Sequence, residues 1–114
     1  MHAVIFEFWP ADGRQNDYFD HVAALKAELD KVEGFISVER FESLTEPGKF
    51  LSLSFWEGEE ALTRWRNIPR HRKSQAAGRA GILANYRLRI AGVVRDYGMN
   101  ERGEAPDDSK AVHQ

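Results

Sequence analysis

This chain of 114 residues predicts an α+β domain in which one antiparallel sheet carries two helices on a single face. Three observations lead there. Leu51, Leu53 and Phe55 alternate with Ser52 and Ser54, the period of a strand with two unlike faces. Tyr18, Val22, Leu25, Leu29 and Val32 recur at spacings of four and three, the apolar stripe of a helix. Turn residues separate the segments in the order strand, helix, strand, strand, helix, strand.

The first strand spans residues 3–9 and is closed by Pro10, Ala11, Asp12 and Gly13. The helical stripe follows, with Gly34 placed to end it. Residues 35–43 form a second strand, Thr45, Glu46, Pro47 and Gly48 a turn, and residues 50–56 a third strand, so these two strands make a hairpin. Glu57, Glu59 and Glu60 suit the positive end of a helix dipole, and Ala61, Leu62 and Trp65 supply apolar spacing; a helix is expected to begin near Gly58. Pro69 donates no amide hydrogen and disfavours a helical Ile68, so a break is expected there, with the helix restarting and exposing the segment around His71. Residues 86–96 alternate Leu88, Ile90 and Val94 against Arg87, Arg89 and Arg95, the pattern of a last strand. The order βαββαβ defines a ferredoxin-like fold whose helix-free sheet face needs a cover, and a second copy of the chain is the simplest one. Beyond Gly98 the composition turns polar and reads as a tail.

Composition narrows the function classes. Apolar residues make up 42% and charged residues 30%, a globular balance, and no apolar run approaches the roughly 18 residues of a membrane span. The amino terminus lacks the basic leader and apolar middle of a signal peptide, which leads to a cytoplasmic expectation. With no cysteine, thiol catalysis and zinc-thiolate sites are excluded. A net charge of -2 gives no overall pull toward nucleic acid. The glycine spacing fits neither a phosphate loop nor a dinucleotide fingerprint. His2, His21 and His113 lack acidic neighbours at ligand spacing, so no metal is predicted.

The segments GFISVERFES at 34–43, SFWEGEEALTRWRNIPRHRKSQAAGR at 54–79 and VVRDYG at 93–98 resemble the antibiotic biosynthesis monooxygenase family. The resemblance covers residues 1–99 and leaves 100–114 as a polar carboxy-terminal tail. It implies a dimeric α+β barrel, a small hydrophobic or aromatic ligand and, in some relatives, oxygenation without flavin or metal. In relatives that oxidise polycyclic phenols, a Trp on the second helix is followed six positions later by a polar aromatic residue; Trp65 and His71 have that spacing, with His in place of Tyr. In heme-degrading relatives the iron-binding His follows the Trp by ten positions, which lands here on Gln75 and ranks the heme reading third.

The leading expectation is therefore a cofactor-independent monooxygenase that oxidises an electron-rich aromatic or polyketide-like substrate with O2. Dioxygen reacts slowly with paired-electron organics unless the substrate is first made an electron-rich anion. An imidazole titrating near ~6.5 provides that base. His71 and Trp65 are the catalytic candidates, although Arg70, Arg72 and Lys73 beside His71 favour a surface or helix-capping role for it. Trp65 is expected in the pocket wall or the core. Phe6, Phe8, Phe55 and Trp56 are candidate ligand contacts, and Arg87 or Arg89 would steady the anion if the sheet register turns either one toward the cavity. The rival expectation is a noncatalytic small-ligand-binding or stress-related homodimer built on the same cavity. The basic cluster from Arg64 to Arg79 reads as a solvated helix face or as an anion-binding surface.

Overall fold

Strands β1 (His2–Pro10), β2 (Phe35–Glu42), β3 (Phe50–Trp56) and β4 (Leu83–Gly92) form one antiparallel sheet in the order β2-β3-β1-β4. This is a computed structural model, and it describes residues 1–68, 76 and 81–112. Helices α1 (Gln15–Asp30) and α2 (Glu59–Arg66) connect β1 to β2 and lead out of β3, and a short α3 (Asp107–Val112) lies near the carboxy terminus. The βαββαβ order expected from the sequence is thus observed for the sheet and its first two helices. The break expected at Pro69, and His71 with it, lie outside the described residues.

The hairpin is set by its turn. Gly48 adopts a positive φ of 81°, and the Ser43 hydroxyl accepts hydrogen bonds from the amides of Thr45 and Glu46. α2 starts after an extended Gly58, with Glu59 and Glu60 in its first turn and Arg64 and Arg66 in its last, the charge order its dipole favours. The last strand differs from the expected 86–96. It begins earlier, at Leu83, because β1 continues to Pro10 beside it, and it ends at Gly92 because its partner begins at His2. One further bond, from the Val93 amide to the Met1 carbonyl at 3.0 Å, closes the ladder.

Register assigns the faces. Val4, Phe6 and Phe8 on β1 share a face with Ser52, Ser54 and Trp56 on β3 and with Tyr86, Leu88 and Ile90 on β4. That face meets the helices, where Leu29 of α1 and Ala61 and Leu62 of α2 close over Trp56, flanked by Val4, Val32, Phe35, Val38 and Trp65. Gly34 makes this closure possible. Its φ is 92°, its carbonyl accepts the Glu57 amide at 2.7 Å, and a Cβ there would stand 2.7 Å from the Ala61 Cβ. Gly34→Ala is expected to cost about 1–3 kcal/mol through backbone strain and a forced shift of α2, read as a lowered denaturation midpoint.

The opposite face carries Ile5, Leu51, Leu53 and Phe55 around an ion cluster. Glu7 accepts from Lys49 at 2.7 Å and from Arg89. Hydrogen bonds from Lys49 and then Arg89 hold the Glu7 carboxyl below its ordinary range, and the same partnership raises Lys49. A depressed carboxylate contributes stability above its unfolded pKa and loses it as pH falls through the folded value. The wild type should therefore exceed Glu7→Gln in stability at neutral pH, and acid titration should erase that advantage as pH falls through the depressed Glu7 value.

The carboxy-terminal segment is structured. The Gly98 amide bonds the Glu101 carbonyl, Arg102 lies over the Tyr97 ring, Ala105 is buried, and the Lys110 ammonium reaches the Gly103 carbonyl. The radius of gyration is 16.7 Å, against about 13 Å for a compact chain of this length. Val94 and Met99 expose 81% and 88% of their surface, which fits an arm reaching away from the sheet.

Candidate functional site

Between the helix-facing side of the sheet and the two helices lies a cavity of about 470 Å³, within the range of small-molecule sites. Each wall follows from a local pattern. Period two on the strands turns Val4 and Phe6, Val38 and Arg40, Ser52 and Ser54, and Leu88 and Ile90 into it. Period 3.6 on α1 turns Tyr18, His21, Val22, Leu25 and Leu29 toward it, and α2 adds Leu62, Trp65 and Arg66.

Trp56 and Trp65 form one end. Their ring centroids are 6.4 Å apart, and Phe35 meets Trp56 edge-on at 5.2 Å. Trp56 is only 2% exposed, and its indole N–H donates to the buried Ser54 hydroxyl at 2.8 Å. The other end is closed by a ring stack: Phe8 against Tyr18 at 4.4 Å and Phe50 at 5.6 Å. Phe6 joins this stack, tilted against Phe8 and edge-on to Tyr86.

The polar groups are few. The Arg40 guanidinium and the Tyr18 phenol line the same wall, close enough for the arginine to act on the phenol. Burial pushes the Tyr18 phenol above its ordinary value, an effect opposed by the neighbouring Arg40 guanidinium, so the phenol is protonated at neutral pH. Among the described residues, no group of three or more His, Cys, Asp and Glu side chains is arranged to hold a metal ion.

Of the residues singled out from sequence, the structure brings Phe6, Trp56 and Trp65 to the cavity wall, and Phe8 packs behind it, fully buried. Phe55, Arg87 and Arg89 stand elsewhere. Alternation puts all three on the helix-free face, where Phe55 neighbours Ala3 and Arg89 pairs with Glu7. Arg87 and Arg89 therefore do not line this cavity: in this register, Leu88 and Ile90 point inward and the arginines outward. His71 lies outside the described residues. Sequence reasoning passed over Tyr18, His21 and Arg40 as site residues. His21 sits three residues after Tyr18 and one before Val22, on the edge of the α1 stripe, and Arg40 lies two residues beyond Val38 on the same strand face.

The comparisons with known proteins agree with this architecture. Residues 1–77 match the model of the antibiotic biosynthesis monooxygenase family. The chain is 42% identical over 101 residues to a jasmonate monooxygenase ABM of Pyricularia oryzae, covering 89% of this chain and 47% of that protein. It is 29% identical over 62 residues to the uncharacterized protein YqjZ of Bacillus subtilis, covering 54% and 53%. The chain thus spans about half the length of these relatives. Rv0793 of Mycobacterium tuberculosis superposes with a TM-score of 0.75 at 16% identity, covering 85% of this chain and 98% of that one. PA3566 of Pseudomonas aeruginosa gives 0.69 at 17%, covering 82% and 93%. With the sheet order, the helix-covered cavity and a family match over more than half its length, this chain belongs to the antibiotic biosynthesis monooxygenase family.

Proposed function

We propose that this chain is a monooxygenase that uses O2 without flavin, metal or heme, on a small electron-rich aromatic or polyketide-like substrate held between sheet and helices. The observation that carries the reading is the apolar cavity walled by Trp56 and Trp65 and edged by an imidazole and a phenol. A 42% identical relative named as a monooxygenase supports it, and the name adds jasmonate to the substrates worth testing.

The chemistry balances with substrate and oxygen alone. A base removes a proton from an activated CH2 group, the carbanion passes one electron to O2, and the radical pair joins as a peroxide anion that takes the proton back from the base to give a hydroperoxide. Loss of water then leaves a carbonyl, so that CH2 and O2 become C=O and H2O. In this reading His71 is the base, six residues beyond Trp65, and Trp65 and Phe6 hold the ring. Incubating chelator-treated protein with anthrone under 18O2 tests it. One labelled oxygen in each quinone formed and the other in water is the expected result. Saturable binding with no labelled product would favour the noncatalytic ligand-binding dimer.

The working form in this proposal is a homodimer joined through the helix-free sheet face, where Ile5, Leu51, Leu53 and Phe55 await a cover, with the carboxy-terminal arm crossing to the second copy. Ending the chain after Met99 is expected to weaken the dimer at least about tenfold, equivalent to roughly 1.4 kcal/mol. Unchanged sedimentation of the truncated protein would contradict this.

A further inference from the structure

We infer that the cavity takes a carboxylate-bearing ligand, with the acid group seated on Arg40, Tyr18 and Ser52 and the apolar body lying toward Trp56 and Trp65. The inference rests on the reading of this cavity as the substrate pocket and names the class of molecule it accepts.

Arg40 enters the cavity wall from β2, and its Nε is buried with no hydrogen-bond partner. A buried guanidinium N–H without an acceptor is costly, and arginine cannot shed its charge to escape the cost. Among the described residues Arg40 has no counter-ion. No Asp or Glu lines the cavity, and the chain has none between Glu60 and Asp96, a span holding nine Lys and Arg residues. Glu42, the nearest carboxylate on the same face of β2, is exposed and makes no ion pair with Arg40. The Tyr18 phenol stands beside Arg40 on the same wall. The phenol O–H is a donor available to a ligand at this wall. Ser52, the cross-strand neighbour of Arg40, adds a second hydroxyl to the wall. A fixed positive charge with an unused N–H, flanked by two hydroxyl donors, matches the acceptor-only oxygens of a carboxylate. Apart from Ser54, His21 and Arg66, the rest of the lining is apolar, which makes the preferred ligand a hydrophobic monocarboxylate.

Calorimetric titration of the wild-type protein with three acid and amide pairs tests this: phenylacetate, 4-phenylbutyrate and octanoate, each against its neutral primary amide. At least one acid is expected to bind at least about tenfold more tightly than its amide, the scale of a hydrogen-bonded charge pair. In Arg40→Gln, folding checked by circular dichroism, that preference should vanish while amide binding is kept. Amides binding as tightly as acids in the wild type, or no acid binding at millimolar concentration, would overturn the inference even if Arg40→Gln does not fold. Oxygen uptake separates the two readings. Turnover of neutral substrates without acid preference sinks the carboxylate seat alone, whereas acid binding without turnover sinks the oxygenase alone.

Discussion

Replacing Trp56 with alanine is expected to lower stability by about 3–5 kcal/mol, a large share of what a domain of this size has. The indole is the point where all the layers meet. It stands on the last position of β3, packs under Leu29, Ala61 and Leu62, touches the rings of Phe35 and Trp65, and satisfies the buried Ser54 hydroxyl. Truncation leaves a void that neither the sheet nor the short α2 can close, and it strands a polar atom. Trp56→Phe keeps most of the apolar contact and loses only the hydrogen bond, so it should fall about 1–2 kcal/mol short of wild type. Urea midpoints of the three proteins read the series. A loss below roughly 1 kcal/mol in Trp56→Ala would mean that the core lies elsewhere.

The second large effect is on turnover. Removing the proposed base, His71→Ala, should lower kcat by about 10²- to 10⁴-fold with the fold unchanged, the usual weight of a positioned proton acceptor. The parallel His21→Ala variant identifies which imidazole acts, since His21 borders the same cavity from α1. A larger loss there than in His71→Ala would move the base to α1. Recovery of His71→Ala activity by added imidazole would tie the loss to proton transfer rather than packing.

Much of the fold could be read from the chain because single elements carry strong patterns. The alternation of Leu51, Leu53 and Phe55 gives β3 its full extent, and the stripe from Tyr18 to Leu29 gives α1. What sequence left open was register, since one position of slip exchanges the two faces of a strand. The β1 pairings Glu7 to Arg87 and Phe6 to Leu88 decide that Leu88 faces the helices and that Arg87 and Arg89 do not. Arg40 escaped notice for a related reason. In a strand that also holds Glu39 and Glu42, a charged side chain looks solvated until its partner Ser52 is known to point inward. Within the polar tail, Pro106 ahead of Asp107 and Asp108 is a helix start in miniature, and α3 begins there.

The central claim is that this cavity activates a substrate toward O2 using protein side chains alone. The most direct measurement is oxygen uptake by chelator-treated protein with an anthrone or another electron-rich phenol, compared between wild type and His71→Ala. The account predicts one O2 consumed per substrate oxidised, with the rate collapsing in the variant while the fold persists. Uptake that requires added heme or metal, or no uptake alongside saturable ligand binding, would contradict it.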